Sequence, residues 1–488
     1  MSFGTLLRNE NDNFVRTENG AAAMKSTLDH CLDLFAVIGA LRGQDHNRIE
    51  TLFENAFRQD ALLAMKILFY ARDIREGLGE REVFRTLLVY LANNHKEVLI
   101  KNLDLVGFYG RYDDWYCLIG TPAENEMWDV MKSQFERDLL NLQKGKEISL
   151  LAKWIKTADA SSKTTKSLGI LTAQKLGYDV YTFKRLVRKM RKYLDVVEVK
   201  MTANCWEDIA YNKVPGRAML VYRNAFLRHD RIGFCRYLDN VTNHTETIHS
   251  QTLYPYDIIE NILYRDGSSD ESRDVLQLQW ENLPNYVEEG TNAIVVADVS
   301  GSMAGRPMAT SIGLAIYFAE RNKGDFHNLF MTFSGKSEIV ELKGDTLFQK
   351  VDHIYDADWG MNTNLKSAFE KILGIAVKNH TRNEEMPKSM IVISDMEIDR
   401  CSDRDWTFYD EMADRYRQFG YEIPNIVFWN VNSRQNVFHA DAKRKGVQLC
   451  SGHSTSVFKQ LTGMIGKTPT EMMMEVINSQ RYANVRIM

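Results

Sequence analysis

The sequence predicts two regions of different class, an all-helical region followed by an α/β domain with a mostly parallel sheet. Apolar residues recur at helical spacing from about Asn47 to Pro284, whereas short β-branched runs alternate with helical segments after Gly290. The chain has 488 residues, more than one hydrophobic core usually supports. We therefore divide it into a polar arm (1–25), a helical region (26–285) and an α/β domain (290–488).

The helical region consists of modest amphipathic segments without a long heptad pattern. The first begins near Asn47, where Phe57, Ala61, Ala64, Leu68 and Ala71 share one apolar face. Later segments are Arg81–Asn93, Glu124–Leu142, Lys166–Leu176, Tyr181–Leu194, Arg217–Leu227 and Asp257–Tyr264. No crisp repeat motif is present, so stacked helix pairs in an open α-solenoid or a closed ring are both compatible. We expect no strand before Gly290.

Strand and helix patterns alternate in the last 200 residues or so, which is typical of βαβ units and a parallel sheet. The predicted strands are Ala293–Ala297, Asn328–Phe333, Met390–Ser394, Asn425–Val431 and Val447–Cys450. The predicted helices are Ala309–Arg321, Leu365–Val377, Trp406–Gln418 and Ser456–Met464.

The first of these strands ends in a group of oxygen-bearing side chains, Asp298, Ser300 and Ser302. Thr363 lies in a loop before a later helix, and Asp395 directly follows another apolar strand. Ligands of open α/β sheets lie at the carboxyl ends of the strands. Carboxylate and hydroxyl oxygens suit Mg²⁺. The sequence therefore predicts a divalent-cation site, most simply for Mg²⁺, that could take its last ligand from an anionic partner.

The pattern Asp-x-Ser-x-Ser at 298–302, with Thr363 and Asp395 in later loops, resembles the metal-ion-dependent adhesion site of von Willebrand factor A (vWA) domains. The resemblance implies direct ligation by Ser300, Ser302 and Thr363. It also implies that Asp298 and Asp395 act directly or through water. The alternative is a metal-free vWA fold in which the same serines and aspartates cap a turn.

Several motifs of the helical region resemble an uncharacterised family of helical-plus-vWA proteins found in plants, bacteria, phages and large viruses. The motifs are Tyr70–Arg81, Gly110–Trp115, Leu151–Trp154 and Lys213–Met219. That family is similar in architecture to the TROVE-module Ro autoantigen, in which a ring of HEAT-like repeats is closed by a vWA domain. In Ro-type proteins the ring binds small structured RNA and single-stranded RNA ends, so the resemblance implies an RNA partner.

Charge distribution supports an anionic partner independently of that resemblance. The formal net charge is −4, yet residues 151–236 contain 18 Lys and Arg against 7 Asp and Glu. The predicted RNA-binding residues are Lys163, Lys166, Lys184, Arg185, Arg188, Lys189, Arg191 and Lys192. Nearby aromatic residues that could stack on bases are Trp154, Tyr178, Tyr181 and Tyr193. The alternative is that these cations solvate helix faces while the aromatic side chains fill the core. Ion pairs are a further alternative for Arg72, Arg75, Arg81 and Arg111.

Other features place the chain among reduced, non-membrane proteins. The six cysteines are scattered without a C-x-x-C pair, and neither a signal-peptide core nor a membrane-length apolar run is present. We expect a cytoplasmic protein. The sequence lacks a complete P-loop and a nucleophile elbow, and Glu397 and Asp399 beside Asp395 are ordinary for a vWA loop. We therefore do not predict an enzyme.

Three functional hypotheses follow from these patterns. The first is an RNA-binding scaffold of the Ro ribonucleoprotein type, with a metal-binding vWA domain. The second is a protein–protein assembly module, for example of a virus, whose vWA metal binds an acidic side chain of a partner protein. This module would bind no nucleic acid. The third is a metal-dependent nuclease. Co-purifying RNA would favour the first, and co-purifying protein released by EDTA would favour the second.

Overall fold

The computed structural model of the chain describes residues 12–264, 269–333, 337–355, 364–400, 407–461 and 466–487. The described part of the arm forms a hairpin of two short antiparallel strands, β1 (Phe14–Arg16) and β2 (Ala22–Met24). Sequence analysis predicted no strand here, because three-residue strands are too short to show an alternating pattern. The hairpin does not extend freely, since Met24 exchanges two backbone hydrogen bonds of 2.9 Å with Phe438.

The region after the arm is helical, as predicted. Its helices are α1 (His30–Val37), α2 (His46–Gln59), α3 (Ala61–Arg72), α4 (Glu82–Asn94), α5 (Lys96–Ile100), α6 (Leu103–Tyr109), α7 (Glu124–Gln143), α8 (Leu151–Trp154), α9 (Lys163–Leu176), α10 (Val180–Tyr193), α11 (Val197–Thr202), α12 (Gly216–His229), α13 (Arg231–Thr242), α14 (Pro255–Tyr264) and α15 (Asp270–Glu281). The apolar face predicted from Phe57 to Ala71 belongs to two helices rather than one. Asp60 is extended and its side chain accepts a hydrogen bond from the backbone N–H of Leu63, so it ends α2 and caps α3.

Strands and helices alternate in the last part of the chain. They are β3 (Ala293–Asp298), α16 (Arg306–Arg321), β4 (Leu329–Phe333), β5 (Glu338–Glu341), α17 (Leu347–Tyr355), α18 (Leu365–Asn379), β6 (Ser389–Ser394), α19 (Phe408–Gln418), β7 (Asn425–Asn430), β8 (Val447–Ser451), α20 (Val457–Leu461) and α21 (Pro469–Ile477). All five strands predicted from the sequence are present, within two residues at each end.

The six strands of this domain form one sheet in the order β5-β4-β3-β6-β7-β8. Among the described strands of this sheet, the edge pair β4–β5 is antiparallel and the other neighbours are parallel. The chain leaves β3 toward one edge and returns at β6 to build the other half. This is the topology of a doubly wound α/β fold, and it confirms the predicted fold class. The arrangement of the helices as stacked repeats, in an open solenoid or a closed ring, stays a prediction.

The helical region and the α/β domain are joined along three contacts. Near α1, the backbone N–H of Gly39 donates to Ser451 Oγ at 3.0 Å, and a Cβ on Gly39 would lie 2.7 Å from the Cα of Gly452. At the other end of the helical region, α14 packs against α16. The chain's last segment returns to the first helices, where Arg481 binds the buried carboxylate of Asp73 at 2.7 and 2.9 Å. A continuous hydrophobic core runs through both regions as a result.

None of the described helices combines the length and the hydrophobicity that crossing a membrane requires.

His453 provides a pH-dependent element at the contact between α14 and α16. Its Nδ1 lies 2.8 Å from Thr310 Oγ1, and its ring is 5.3 Å from that of Tyr256. Burial lowers the pKa of His453 from 6.5 to about 3, with the charge of Arg42 acting in the same direction. Because the folded-state pKa is depressed, protonation favours the unfolded chain, and stability is lost as pH falls below 6.5.

We expect this group to remove about 2 kcal/mol of unfolding free energy between neutral pH and about pH 5. His453→Gln keeps a hydrogen-bonding group beside Thr310 and removes the titration. Urea unfolding at both pH values should therefore show a smaller acid loss in this variant than in the native protein. An equal loss in both would contradict the assignment.

Candidate functional site

The point where the strand order reverses lies between β3 and β6. These strands pair in parallel, with Ala297 opposite Ile393. Asp298 is the last residue of β3, and Asp395 directly follows β6. The two carboxylates therefore lie at the carboxyl ends of neighbouring strands, the usual ligand position in this fold.

Asp298 is fully buried and both of its oxygens accept hydrogen bonds. Oδ1 accepts from the backbone N–H of Ser300 at 2.9 Å, and Oδ2 accepts from Ser394 Oγ at 2.8 Å. Burial raises the pKa of Asp298 to about 7, and the negative charge of Asp395 contributes to the increase. The carboxylate is thus oriented by two donors but lacks a full counter-charge. Ser394 is a contact that sequence analysis missed, although its position beside Asp395 could have indicated it.

The turn after β3 contains two serines, which lie between the buried carboxylate of Asp298 and the protein surface. Ser300 and Ser302 have their hydroxyl oxygens 3.0 Å apart. Ser300 is buried and Ser302 is exposed. The turn therefore presents oxygen ligands from the interior to solvent.

Asp395 has an unexpected cationic partner. Its Oδ1 accepts from the backbone N–H of Glu397 at 3.1 Å, while its Oδ2 accepts from Arg434 Nη2 at 2.9 Å. Arg434 also binds Glu18 of the arm, with Nη1 and Oε2 2.8 Å apart. Neither ion pair of Arg434 is predictable from the sequence. Asp395 lies tens of residues and Glu18 hundreds of residues from Arg434 along the chain, so no local pattern connects them.

Four of the five predicted metal ligands thus lie at the ends of two adjacent strands, Asp298, Ser300, Ser302 and Asp395. The fifth, Thr363, lies outside the described residues. In the described part of the chain no group of three or more His, Cys, Asp and Glu side chains is arranged to hold a metal. The donor set nevertheless fits a hard dication, because it combines hydroxyl oxygens with buried carboxylates that are incompletely neutralised. Binding of such an ion would need the serine hydroxyls as ligands.

A second candidate surface lies on the helices α9 and α10. Gly177, in the left-handed conformation (φ 84°), ends α9, and the side chain of Asp179 caps α10. One face of α10 buries Phe183, Val187 and Met190. The opposite face exposes a set of cations at the helical spacings of three and four that place side chains in one row, Arg185, Arg188, Lys189 and Lys192. We call these four residues the α10 cationic row.

The other predicted RNA-binding residues differ in their surroundings. Lys163 and Lys166 are exposed on the first turns of α9. Lys184 is half-buried, 4.0 Å from Asp159. Arg191 donates hydrogen bonds to the carbonyl oxygens of Ala152 and Ile155 at 2.8 and 2.9 Å, and burial lowers its pKa. Arg191 therefore joins α10 to α8, whereas six of the eight predicted residues face solvent.

The aromatic residues near the α10 cationic row are unequally accessible. Tyr181, one turn before Arg185, is 76% exposed. Tyr178 packs on Phe135 in the core, and Trp154 is covered by the guanidinium of Arg111 at 3.6 Å. Tyr181 is consequently the best placed of these for stacking on a base.

Several arginines outside this surface are used in ion pairs, as the alternative interpretation of the sequence predicted. Arg72 binds Asp114 at 2.8 Å with both side chains buried. Arg111 binds Asp113 at 2.7 Å. These guanidinium groups hold loops together.

Comparison with known proteins identifies two matching family models, a viral relative and a similar solved structure. Residues 292–484 match the family model "Domain of unknown function (DUF7788)", and residues 17–108 and 161–291 match "Domain of unknown function (DUF2828)". An uncharacterized protein of Acanthamoeba polyphaga mimivirus is 27% identical over 512 residues, covering 95% of this chain and 87% of that protein. The crystal structure of the Deinococcus radiodurans Ro (RSR) protein is similar with a TM-score of 0.48 and 15% identity, covering 93% of this chain and 99% of that one.

Proposed function

We propose that this chain is a cytoplasmic RNA-binding scaffold of the Ro ribonucleoprotein type, which binds single-stranded or small structured RNA through the exposed surface of α9 and α10. The observation that carries the proposal is the α10 cationic row. Among the described residues no carboxylate lies within ion-pair distance of Arg185, Arg188, Lys189 or Lys192, so their charges are available to phosphates. Lys163 and Lys166 add two exposed cations on the preceding helix, α9.

The surface is suited to a flexible single strand. Side chains three and four residues apart on a helix are about 5–6 Å apart, so a row of cations can follow consecutive phosphates. Tyr181, which precedes the α10 cationic row by one helical turn, offers an exposed ring on which one base can stack. Nothing in this arrangement reads base edges, so we propose binding with little sequence preference.

The direct test is to purify the full chain at low salt without nuclease and to sequence any nucleic acid that elutes with it. We expect RNase-sensitive material that high salt removes. A protein free of nucleic acid, which also fails to retain RNA on filters at low salt, would contradict the proposal.

The site at Asp298 favours a second role, in which a divalent cation binds an acidic side chain of a protein partner. The observation is the exposed hydroxyl of Ser302 beside buried, incompletely neutralised carboxylates. Asp298, Ser300, Ser302 and Asp395 would hold the ion, with Thr363 added by the resemblance to vWA sites. The ion would supply an electrophilic position for a partner's carboxylate.

We expect Asp298→Asn, which keeps an oxygen for the Ser300 N–H and turns an NH₂ donor towards the Ser394 hydroxyl oxygen, to abolish measurable Mg²⁺ binding in calorimetry. Asp325→Asn removes an exposed carboxylate of the same domain and should leave Mg²⁺ binding unchanged. Equal binding by all three proteins would show that Asp298 does not hold the ion. If a partner protein co-purifies without nucleic acid and EDTA releases it, the assembly role replaces the RNA-binding one.

We propose no catalytic step. Asp395 is bound by Arg434, and Oε2 of Glu397 accepts from the backbone N–H of Glu18 at 2.6 Å, so neither carboxylate is presented as an unpaired general base. Cleavage of bound RNA in Mg²⁺ that Asp298→Asn eliminates would instead establish a metal-dependent nuclease.

A further inference from the structure

The guanidinium of Arg434 binds the carboxylate oxygen of Asp395 that accepts no hydrogen bond from the loop backbone. Asp395 Oδ1 is taken by the N–H of Glu397, so Oδ2, bound by Arg434 at 2.9 Å, is the oxygen that an incoming cation would compete for. The Asp395 side chain is fully buried, whereas that of Arg434 is 32% exposed. Arg434 is therefore the partner of the pair that solvent reaches.

The loop that carries Arg434 is held by contacts that do not involve this guanidinium. Arg48 of α2 donates hydrogen bonds to the carbonyl oxygens of Ser433 and Gln435 and to the Asn436 side chain, and Ser433 N–H donates to the carbonyl of Ala40. The backbone on either side of Arg434 is thus fixed by the helical region. The long side chain can leave Asp395 while the loop stays in place.

Glu18 provides a second carboxylate that can bind the Arg434 guanidinium when it leaves Asp395. Glu18 of the arm already binds Arg434 Nη1 at 2.8 Å, and Gln435 donates to the other Glu18 oxygen at 3.1 Å. The arm is anchored beside the site by hydrogen bonds from Thr17 to the carbonyl of Ile398 and from Asn19 to that of Glu397. Arg434 can keep a bonded counter-charge after it leaves Asp395.

Three acidic side chains are buried at this end of the sheet, and Arg434 binds one of them, Asp395. Asp298, Asp395 and Glu397 are all buried, and Oε1 of Glu397 accepts no hydrogen bond from any residue that the structure describes. Arg48 faces Glu397 from α2, although it makes its hydrogen bonds to the loop. Arg434 therefore neutralises Asp395, and among the described residues no lysine or arginine forms an ion pair with Asp298 or Glu397, which a dication could neutralise.

We propose that Arg434 is a resident counter-cation that competes with a divalent cation for Asp395, and that loading of the site moves its guanidinium onto Glu18 of the arm alone. The inference rests on the metal site of the proposed function. It explains how a pair of buried carboxylates can persist without an ion, and it makes the metal affinity of this site depend on a residue that is not a ligand.

The test measures Mn²⁺ binding to the full chain by electron paramagnetic resonance of free Mn²⁺, together with the shift in melting temperature caused by Mg²⁺. Arg434→Met should bind Mn²⁺ about 10- to 100-fold more tightly than the native protein, because the competing charged hydrogen bond is gone. Its Mg²⁺-induced stabilisation should also be larger. Arg444→Met removes a similarly exposed arginine, paired with Asp410 instead, and should change neither quantity.

Arg434→Lys covers the case in which the methionine variant does not fold. A lysine keeps the charge but lacks the fork that joins Glu18 to Asp395, so its affinity should lie between those of the native protein and Arg434→Met. Native and variant proteins that bind Mn²⁺ equally would overturn the inference and leave the metal site standing. If neither binds Mn²⁺ at millimolar concentration, the metal site fails and the inference fails with it.

Discussion

Replacing Arg185, Arg188, Lys189 and Lys192 together with glutamine is expected to weaken binding of single-stranded RNA about 100-fold near physiological salt. Each cation that neutralises a phosphate releases about 0.7 of a counterion from a single strand. At about 0.15 M salt, four such contacts contribute roughly two orders of magnitude to affinity. Glutamine keeps high helix propensity and removes only the charges, so α10 should remain folded.

The measurement is fluorescence anisotropy of a labelled, unstructured RNA, with circular dichroism to verify helix content. A matched control replaces four exposed lysines of the α/β domain with glutamine, Lys378, Lys388, Lys443 and Lys445. The net charge changes equally in both variants. If the two lose affinity to the same extent, general electrostatics and not the α10 cationic row would account for binding.

The second large effect is expected from Arg72→Met, which should cost about 3 kcal/mol of unfolding free energy. Arg72 and Asp114 are 2% and 0% exposed, so the substitution leaves a carboxylate in the interior without one of its two arginine partners. Arg85 Nε remains 2.7 Å from the other Asp114 oxygen, which places the cost at the lower end of the range for broken buried pairs. The loop after α6 and the helix α3 should lose their connection first.

Urea unfolding followed by circular dichroism measures this cost in the transition of the helical region. Arg58→Met provides the control, because Arg58 is 76% exposed and its ion pair with Glu54 on α2 is worth less than about 0.5 kcal/mol. Adding Asp114→Asn to Arg72→Met should recover part of the loss by removing the buried charge. A cost below about 1 kcal/mol for Arg72→Met would show that Arg85 alone neutralises Asp114.

The central strands could be predicted because their burial on both faces produces continuous apolar runs. All six residues of β3 are buried, and Ser389–Ser394 is nearly so. The edge strand β5 was missed because three of its four residues are exposed and no apolar run marks it. The strands that could be predicted are therefore those buried between two layers of helices, because burial on both faces, and not intrinsic strand propensity, produces the clearest sequence pattern.

The candidate site could be predicted only where neighbouring strands bring short motifs together. Asp298 and Asp395 were identified because each ends an apolar strand, and the ends of adjacent parallel strands coincide. Arg434 and Glu18 could not be identified, since their contact depends on the docking of the arm and on the loop held by Arg48. Similarly, Arg191 carries the same charge as its neighbours in the sequence, and only the fold shows that its donors are used internally.

The central claim is that the α10 cationic row binds RNA through phosphate contacts, and the salt dependence of RNA affinity in the unmodified protein tests it most directly. If four phosphates are neutralised, a plot of log affinity against log KCl concentration should have a slope of about −3, which is roughly a 50-fold loss between 50 and 200 mM. A slope near zero, or no binding at the lowest salt concentration, would contradict the claim.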